Sequence, residues 1–389
     1  MSTALLARDP DLARLLDDGY DVVVHAGHVI IRHIPYATEN RTVAHGFLAY
    51  PMTVSGDRLV SGTDHRIWFS GSAPCDEHGR PLALASPDLR EIAEGMRVAF
   101  MLSSKPGPDG YPDEYTKITA YARIIADQAH ALDSSATPTP GAAWQEVDDG
   151  SPFVYRDTAT SRAGIAAVHR RFRGHRIVIV GLGGSGSYVL DQVAKTEVDS
   201  ILLVDGDTFD NHNAFRAPGA PTLETLRGRP VKAAYLASIY ANMHRGVKAC
   251  EEYLDEDNLH LLTGATFVFL ASDDAAGKPA IIDWLEARDV PFIDVGMGVE
   301  EIDGRLSGLL RVTTSLPGRR DAARRRIPQP APERDAYMRN IQTADLNALN
   351  AVLAVIRWKR SIGIYADATD EGHTTYSLIT NEIANEDLP

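Results

Sequence analysis

The chain has 389 residues, of which 44% are hydrophobic and 24% charged, a balance typical of a folded globular protein with room for two or more domains. Its formal net charge of -14 argues against nucleic acid as the main partner, because phosphate backbones are bound by clustered Lys and Arg. The sequence has no run of about 18 apolar residues and no apolar leader, so we expect no membrane partner and a cytoplasmic location.

The first part of the chain has the pattern of a small α+β domain. Two β-branched runs flank Ala26 and Gly27 and predict a hairpin. HGFLAYPMTV, DRLV and HRIWF predict further short strands, and the apolar spacing in DEYTKITAYARIIADQA predicts a helix. A stretch rich in Ser, Pro, Gly and Asp at 129–152 predicts a linker. We therefore expect one domain at 1–150, without an assigned role, and a second at 151–389.

After the linker the pattern changes to strand, glycine turn, helix and strand. RIVIVG, SGSYVLDQVAKT and SILLVDGD follow one another in the order of a βαβ unit. ATFVFLAS and VPFIDVG predict two more strands, with the helix PAIIDWLEARD between them. The expected fold class is α/β, a doubly wound Rossmann-like sheet preceded by the smaller α+β domain. A long apolar helix from Asp345 to Ile362 is expected in the core, with a dimer seam as the alternative.

The segment GLGGSGSYVLDQV carries glycines at the spacing G-x-G-x-x-G, at Gly181, Gly183 and Gly186. Between a strand and a helix, these glycines allow a tight turn whose amides can approach a phosphate. Asp205 ends the next strand, where an acidic side chain usually accepts a hydrogen bond from a ribose hydroxyl. On these residues alone, a nicotinamide or flavin oxidoreductase and a glycine turn without any ligand both remain open.

A dense group of polar residues follows Asp205 in VDGDTFDNHNAFR. Asp207, Asp210, Asn213 and Arg216 lie in one loop after a strand, where open α/β sheets bind ligands. A hydride-transfer site needs only Asp205, whereas a site for a triphosphate and a metal can use the others. Taken singly, Asp210 and Asn213 can also be ordinary turn residues.

Five segments, in order, resemble the adenylating enzymes that activate ubiquitin-like proteins, the family of ThiF, MoeB and HesA and of the ubiquitin-activating enzymes. They are GLGGSG, LLVDGDTFDNHNAFR, RPVKAAYL, FLASDD and VGMGVEEIDGRLSGLLRV, within 161–364. The resemblance implies ATP and Mg²⁺ as cofactors, adenylation of a C-terminal carboxylate, release of pyrophosphate, and a homodimer. It implies as partner a ubiquitin-like or sulfur-carrier protein ending in glycine, and leaves room for a conjugating-enzyme partner. A non-catalytic nucleotide-binding scaffold and an oxidoreductase are the alternatives.

The resemblance also implies roles for single residues. Arg216 and Lys232 would contact the phosphates, and Asp273 would bind Mg²⁺. Taken alone, Lys232 can be a solvated helix lysine and Asp273 a helix N-cap. The implied nucleotide-binding set is Gly181, Gly183, Gly184, Gly186, Asp205, Asp207 and Asn213.

The family commonly borrows an arginine from the partner subunit, supplied shortly before the first strand. Arg162 is the best match to that arginine in this sequence, and Arg170, Arg171 and Arg173 are nearby alternatives. The residue donated in trans is therefore expected to be Arg162.

The predicted crossover segment, RVTTSLPGRRDAARRRIPQPAPERDAYMRN, departs from the family because it has no cysteine, so zinc at that place is excluded by ligand count. Cys250 lies in a predicted strand and is expected to be structural. Cys75 lies in a predicted loop with acidic neighbours, which raise a thiol pKa. We therefore hypothesise that the acyl group leaves directly from the adenylate or through an oxyester on Thr313, Thr314 or Ser315.

Arginines of the same segment, from 319 to 326, are either a solvated run or a surface that attracts a substrate carboxylate.

Overall fold

The computed structural model describes residues 9–55, 58–59, 64–108, 110–141, 150–163, 165–272, 277–328 and 341–386. The chain forms two compact units, Met1–Ser151 with Tyr155–Ile165, and Pro152–Val154 with Ala166–Pro389. Each unit has a hydrophobic core of its own. Among the described residues, none of the helices combines the length and the apolar character that crossing a bilayer requires.

The first unit is built on antiparallel strands. Its helices and strands are α1 (Pro10–Asp17), β1 (Asp21–His25), β2 (His28–Ala37), β3 (Val43–Pro51), β4 (Val54–Ser55), β5 (Arg58–Leu59), β6 (Ile67–Phe69), β7 (Ala85–Ala93), β8 (Met96–Leu102), α2 (Glu114–Leu132) and α3 (Thr158–Arg162). Six strands form one sheet in the order β1-β2-β3-β6-β8-β7, and β4 pairs with β5. Helix α2 packs on this sheet through Ile118, Tyr121 and Ile125, as its apolar spacing predicts.

The predicted hairpin of the first unit forms between β1 and β2. Ala26 and Gly27 join the strands with φ angles of 46° and 74°, the left-handed backbone that a tight two-residue turn requires. Strands β7 and β8 were not predicted. Every residue of β7 is at least partly exposed, so the strand lacks the alternation of buried apolar and exposed polar residues that marks a half-buried strand.

The second unit alternates strands and helices. Its elements are α4 (Ala166–His169), β9 (Arg176–Val180), α5 (Gly184–Val193), β10 (Ser200–Val204), α6 (Asn211–Ala214), α7 (Leu223–Gly228), α8 (Lys232–Tyr240), β11 (Val247–Cys250), β12 (Phe267–Leu270), α9 (Lys278–Glu286), β13 (Phe292–Ile302), β14 (Arg305–Ser315), α10 (Arg320–Arg326), α11 (Ala344–Ser361), β15 (His373–Ser377) and β16 (Glu382–Glu386). Eight strands form one sheet in the order β11-β10-β9-β12-β13-β14-β15-β16.

The strand order of this sheet confirms the predicted α/β fold class. Strands β11, β10, β9, β12 and β13 are parallel, and β14, β15 and β16 continue the sheet in antiparallel pairs. Strands β9 and β12 are buried at nearly every position because helices cover both faces of a parallel sheet. The chain adds β10 and β11 on one side of β9 and then β12 on the other. This change of direction opens a crevice beyond the carboxyl ends of β9 and β12.

Helix α11 lies in the core, as expected for the predicted apolar helix, and it packs on α5. Trp358 of α11 is 0% exposed. Its ring centroid lies 5.4 Å from that of Phe172, 6.2 Å from that of Phe267 and 5.9 Å from that of Phe269. Through these ring contacts α11 packs against β12.

Trp358→Ala is expected to lower the free energy of unfolding by about 3–5 kcal/mol, since it removes a fully buried indole and leaves a cavity among three aromatic rings. The measurement is equilibrium unfolding of the full chain in urea, followed by far-UV circular dichroism. Leu309→Ala is the control because Leu309 is 50% exposed on β14. Equal losses in the two variants would contradict a core role for α11.

Candidate functional site

A cleft of about 460 Å³ opens in the second unit at the carboxyl edge of the parallel strands. Its wall includes Gly181 after β9, Asp205 after β10, Ala271 after β12 and Gly296 within β13. Ligands of open α/β sheets bind at this edge, beside the strand where the direction of the sheet changes. The cleft therefore occupies the position that the fold reserves for a ligand.

The glycine turn after β9 forms one wall of the cleft. Gly181 has a φ of 84°, and a Cβ on Gly186 would lie 1.9 Å from the Gly181 carbonyl oxygen. A Cβ on Gly184 would lie 2.1 Å from the side chain of Asn347, so this glycine allows α5 and α11 to approach closely. Gly183 has open space around it, and with Gly184 it places the first amides of α5 at the cleft wall. Gly186 is a packing residue behind the wall.

Asp205 connects the glycine turn to the loop after β10. Its Oδ2 accepts a hydrogen bond of 2.6 Å from the Leu182 amide, and its Oδ1 accepts one of 2.8 Å from the Asp207 amide. Burial raises the pKa of the Asp205 carboxyl, and the bond from Leu182 and the charge of Lys232 oppose that rise. Each oxygen keeps a second lone pair, so the carboxylate can still accept from a ligand hydroxyl at the cleft wall.

Lys232 begins α8 and projects a buried ammonium group into the cleft wall. Its Nζ donates to Asp207 Oδ2 at 2.6 Å and lies 3.9 Å from Asp205 Oδ1. The Tyr253 hydroxyl donates to Asp207 Oδ1 at 2.5 Å. Hydrogen bonds from Lys232 and then from Tyr253 lower the pKa of Asp207. Without a ligand, Asp207 therefore compensates the charge of Lys232. Tyr253 was not predicted, since a single aromatic residue after a strand carries no motif.

Arg216 and Asn213 lie on the loop that was predicted to contact phosphates. Asn213 Oδ1 accepts from the Asp210 amide at 2.9 Å, and the Asn213 carbonyl accepts from the Arg216 amide at 3.1 Å. Asn213 is buried and supports the loop, whereas Arg216 lies in the cleft wall. Within the described residues, Arg216 Nε and Asn213 Nδ2 are buried donors without a partner. Buried donors of this kind indicate a missing acceptor, such as a phosphate oxygen.

A second charged group in the cleft was missed by sequence reasoning. Asp294, in the apolar strand β13, binds Lys278 and Arg311, both of which line the cleft. The only signal in the sequence is a lone carboxylate within the apolar run FIDV. Buried charges are normally paired, so such an aspartate predicts a cation but does not identify it.

The structure does not describe the side chains of two of the predicted site residues. Asp273 lies outside the described residues, and in the part that the structure describes no group of three or more His, Cys, Asp or Glu is placed to hold a metal. Arg162 ends helix α3 in the first unit, and its side chain also lies outside the description. Of the alternatives, Arg171 donates to the Gly363 carbonyl and Arg173 pairs with a glutamate, so both are engaged within their own unit.

Thr313, Thr314 and Ser315, the predicted candidates for an oxyester, present no exposed hydroxyl. All three residues are buried on β14. The Thr313 hydroxyl lies within hydrogen-bond distance of His373 Nδ1, at 3.0 Å, and accepts from Arg311 Nη1 at 2.8 Å. An acyl carrier needs an accessible oxygen, so burial argues against an oxyester at these positions. The Thr313 hydroxyl instead joins a hydrogen-bond network with Arg311 and His373.

The arginine run after β14 is not a free surface. Arg319 Nη1 lies 2.8 Å from Asp370 Oδ2, and Arg324 Nη2 lies 2.5 Å from both Asp283 Oδ1 and Glu286 Oε2. These ion pairs attach the run, which includes α10, to carboxylates of the same unit. Arg319 and Arg324 are thus ion-paired and partly exposed, and attraction of a substrate carboxylate by this run stays a prediction.

The two cysteines are poor nucleophiles. Cys75 is 1% exposed, and its thiol donates to the Ala73 carbonyl at 3.3 Å. Burial raises the pKa of the Cys75 thiol, and the charges of Glu39 and Asp76 raise it further. Cys250 ends β11, half-buried, and burial raises the pKa of its thiol as well. Both thiols are therefore mostly protonated at neutral pH.

Family models match both parts of this chain. The ThiF family matches residues 156–380, which is more than half of the sequence. The chain belongs to the ThiF family. A second family, Domain of unknown function (DUF6791), matches residues 10–158 and precedes the ThiF domain.

Known proteins resemble parts of the chain. The tRNA threonylcarbamoyladenosine dehydratase of Escherichia coli (strain K12) is 25% identical over 164 residues, which are 41% of this chain and 57% of that protein. The structure of E. coli MccB with succinimide covers 59% of this chain and 72% of MccB, at 16% identity and a TM-score of 0.46. The structure of E. coli MccB with ATP covers 56% and 65%, at 16% identity and a TM-score of 0.44. The match thus spans little more than half the length of the curated relative.

Gly186→Ala is expected to lower the free energy of unfolding by about 1–3 kcal/mol, because the new methyl group would overlap the Gly181 carbonyl and force the turn to move. Gly183→Ala is the matched control, since nothing lies within 4 Å of the position that its methyl group would take, and we expect a change below about 1 kcal/mol. Thermal unfolding without ligand measures both. A larger loss for Gly183→Ala would contradict the assigned roles.

At pH 7.5, Cys75 in the folded chain is expected to react with iodoacetamide at least about tenfold more slowly than in the urea-unfolded chain, because burial and a raised pKa leave little accessible thiolate. The rate should increase as the pH rises toward the raised pKa. Peptide mass spectrometry over time gives the rate at each cysteine. Rapid labelling of Cys75 at neutral pH would show an accessible, reactive thiolate and contradict this prediction.

Proposed function

We propose that the ThiF domain of this chain, 151–389, is an ATP-dependent adenylyltransferase. Its substrate is the C-terminal carboxylate of a ubiquitin-like or sulfur-carrier protein, and pyrophosphate is the second product. The observation that carries the proposal is the cleft in which Arg216, with its unpaired Nε, and Lys232 lie beside the amides of the glycine turn. Membership of the ThiF family supports the same reaction class.

The residues present fit a nucleoside triphosphate. Backbone amides at the N-terminus of α5, from Gly183 and Gly184, suit phosphate oxygens, and the ten-residue helix adds the positive end of its dipole. Asp205 retains acceptor capacity for the ribose hydroxyls. Lys232 exchanges its partner Asp207 for phosphate oxygens, and Arg216 supplies an Nε donor that lacks an acceptor in the described chain. Together these groups can bind both the sugar and the phosphates.

The chemistry needs charge compensation more than proton transfer. A carboxylate oxygen attacks the α-phosphorus and forms a P–O bond, while the bond from that phosphorus to the bridging oxygen breaks and its electron pair leaves with pyrophosphate. The carboxylate is already ionised at neutral pH, so no general base is required. Arg216 and Lys232 offset the repulsion between the two anions and stabilise the charge of the leaving group. Mg²⁺, which the resemblance assigns to Asp273, would add positive charge at the pyrophosphate.

The proposal extends to partners and to the pathway. We propose a homodimer in which Arg162 is donated to the partner subunit's site, and an N-terminal domain at 1–150 that recruits the protein substrate or a conjugating enzyme. The absence of cysteine from the crossover segment and the buried, protonated thiol of Cys75 favour a bacterial ubiquitin-like conjugation pathway without a thioester at the usual position on this enzyme. The acyl group then leaves directly from the adenylate.

Lys232→Met and Arg216→Met are each expected to slow ATP–pyrophosphate exchange about 100-fold or more, because each removes a cation that stabilises transition-state charge. Exchange is measured with radiolabelled pyrophosphate and an added ubiquitin-like protein that has a free C-terminal glycine. Lys195→Met is the matched control, since Lys195 forms a surface ion pair with Asp191 at 2.7 Å. That variant should exchange within about twofold of the wild-type rate.

The same assay separates the alternatives. An oxidoreductase shows no exchange, and a scaffold binds ATP without exchanging it. Asp273→Ala should abolish exchange if this residue holds the metal. Full activity of Asp273→Ala would contradict the magnesium assignment, and exchange that is independent of added protein would contradict the proposed substrate.

A further inference from the structure

A second cationic subsite lies in the same cleft, away from the glycine turn. Asp294 is 0% exposed, and its oxygens lie 2.8 Å from Lys278 Nζ and 2.6 Å from Arg311 Nη2. The side chains of Lys278 and Arg311 remain 14% and 17% exposed, and both line the cleft. The buried carboxylate therefore holds two partly accessible cations in place at the wall.

The charge of this subsite suits a singly charged anion. One carboxylate and two cations leave one net positive charge, and Asp294 occupies only part of the donor capacity of the two cations. Lysine has three N–H donors and arginine has five. Three of these eight donors are used, by one bond from Lys278 to Asp294, one from Arg311 to Asp294 and one from Arg311 to Thr313. A single carboxylate matches this net charge.

The subsite is also separated from the residues assigned to the phosphates. The glycine turn follows β9, Asp294 lies on β13, and β12 lies between these two strands. Two strand spacings, roughly 10 Å, separate the backbones of β9 and β13. A nucleotide at the turn and a carboxylate at the Asp294 subsite can therefore meet in the cleft between these two strands.

Asn350 indicates which ligand completes the subsite. Its Nδ2 donates to the Gly296 carbonyl at 3.1 Å, which sets the orientation of the amide. Its Oδ1 is then a buried acceptor, and in the described part of the chain no donor reaches it. Asn350 and Gly296 both line the cleft beside Arg311. A buried acceptor requires an N–H or O–H donor. An ionised phosphate lacks one, whereas a peptide N–H supplies one, as a ribose hydroxyl would.

Gly296 allows this arrangement. A Cβ at this position would lie 2.4 Å from Arg311 Nη2, so a larger residue would displace the guanidinium from its place across β13. The sequence thus combines a glycine, a buried aspartate and an arginine on paired strands, where Gly296 is directly opposite Arg311.

We propose that Arg311 and Lys278 bind the terminal carboxylate of an extended polypeptide, and that Asn350 Oδ1 accepts a hydrogen bond from a backbone N–H of that same tail. Asp294 is a positioning residue that holds the two cations. This inference rests on the proposed function, since the subsite would hold the substrate carboxylate that reacts with the bound nucleotide. It identifies residues that select a peptide carboxylate over a simple anion.

The test uses the full chain and the probe N-acetyl-glycylglycine, with its C-terminal amide as the uncharged comparison. Ligand-observed NMR measures the affinity for each probe, and calorimetry measures the affinity for ATP. The free acid should bind about tenfold or more tightly than the amide, because hydrogen bonds to a charged partner are lost in the amide. Arg311→Gln and Lys278→Gln should abolish most of this preference and leave ATP affinity within about twofold.

Two further variants keep the result interpretable. Arg305→Gln is the matched control, because Arg305 is exposed on the same strand β14, and it should retain the preference for the acid. Arg311→Lys preserves a positive charge beside Asp294 but removes the planar fork, so a folded protein with a weakened preference is expected. Circular dichroism verifies that each variant is folded.

Several outcomes would overturn the inference. One is equal binding of the acid and the amide, and another is the lack of saturable binding of the acid up to about 20 mM. A third is a loss of ATP affinity in Arg311→Gln as large as its loss of affinity for the acid, which would assign the cations to the phosphates. Acid-selective binding in a wild-type protein that performs no ATP–pyrophosphate exchange would leave the subsite in place and defeat the proposed adenylation. Normal exchange with an unchanged KM for the carboxylate substrate in Arg311→Gln would defeat the subsite and leave the proposed adenylation in place.

Discussion

The two amide hydrogen bonds accepted by the Asp205 carboxylate tie the glycine turn after β9 to the loop after β10, and the site is organised around them. One bond, from Leu182, secures the turn that presents the first amides of α5. The other, from Asp207, places a second carboxylate where it holds Lys232 and Tyr253. The buried Asp205 carboxylate thereby positions both the glycine turn and the side chain of Asp207. Its pKa is raised because it is buried between these two segments.

In this protein, whose net charge is -14, three cations of the cleft are paired with carboxylates. Lys232 is paired with Asp207, and Lys278 and Arg311 share Asp294. An isolated buried charge costs several kcal/mol, so these pairings let the unliganded fold retain the cations. An incoming anion then either exchanges with the carboxylate partner, as proposed at Lys232, or adds to a pair that has unused donors, as proposed at Arg311.

Burial also decides which side chains can carry an acyl group. The Cys75 thiol is enclosed and protonated, and the Thr313 hydroxyl is committed to a buried hydrogen-bond network on β14. The positions of both residues along the chain are known from the sequence, but their exposure could not be predicted from it. The proposed reaction therefore ends, on this chain, with the acyl group still on the adenylate.

The sequence alone determined the α/β sheet, the glycine turn, the buried helix with Trp358 and the loop that carries Arg216, because these depend on local periodicity and on short, ordered motifs. Tertiary structure decided the rest. Strand β7 is too exposed to show alternation, and the Asp294 subsite joins β13, β14 and α9, whose residues become neighbours only when the sheet forms. Hydrophobic patterning specifies which face of an element is buried, whereas pairing between distant charges depends on strand order and register, which no local pattern encodes.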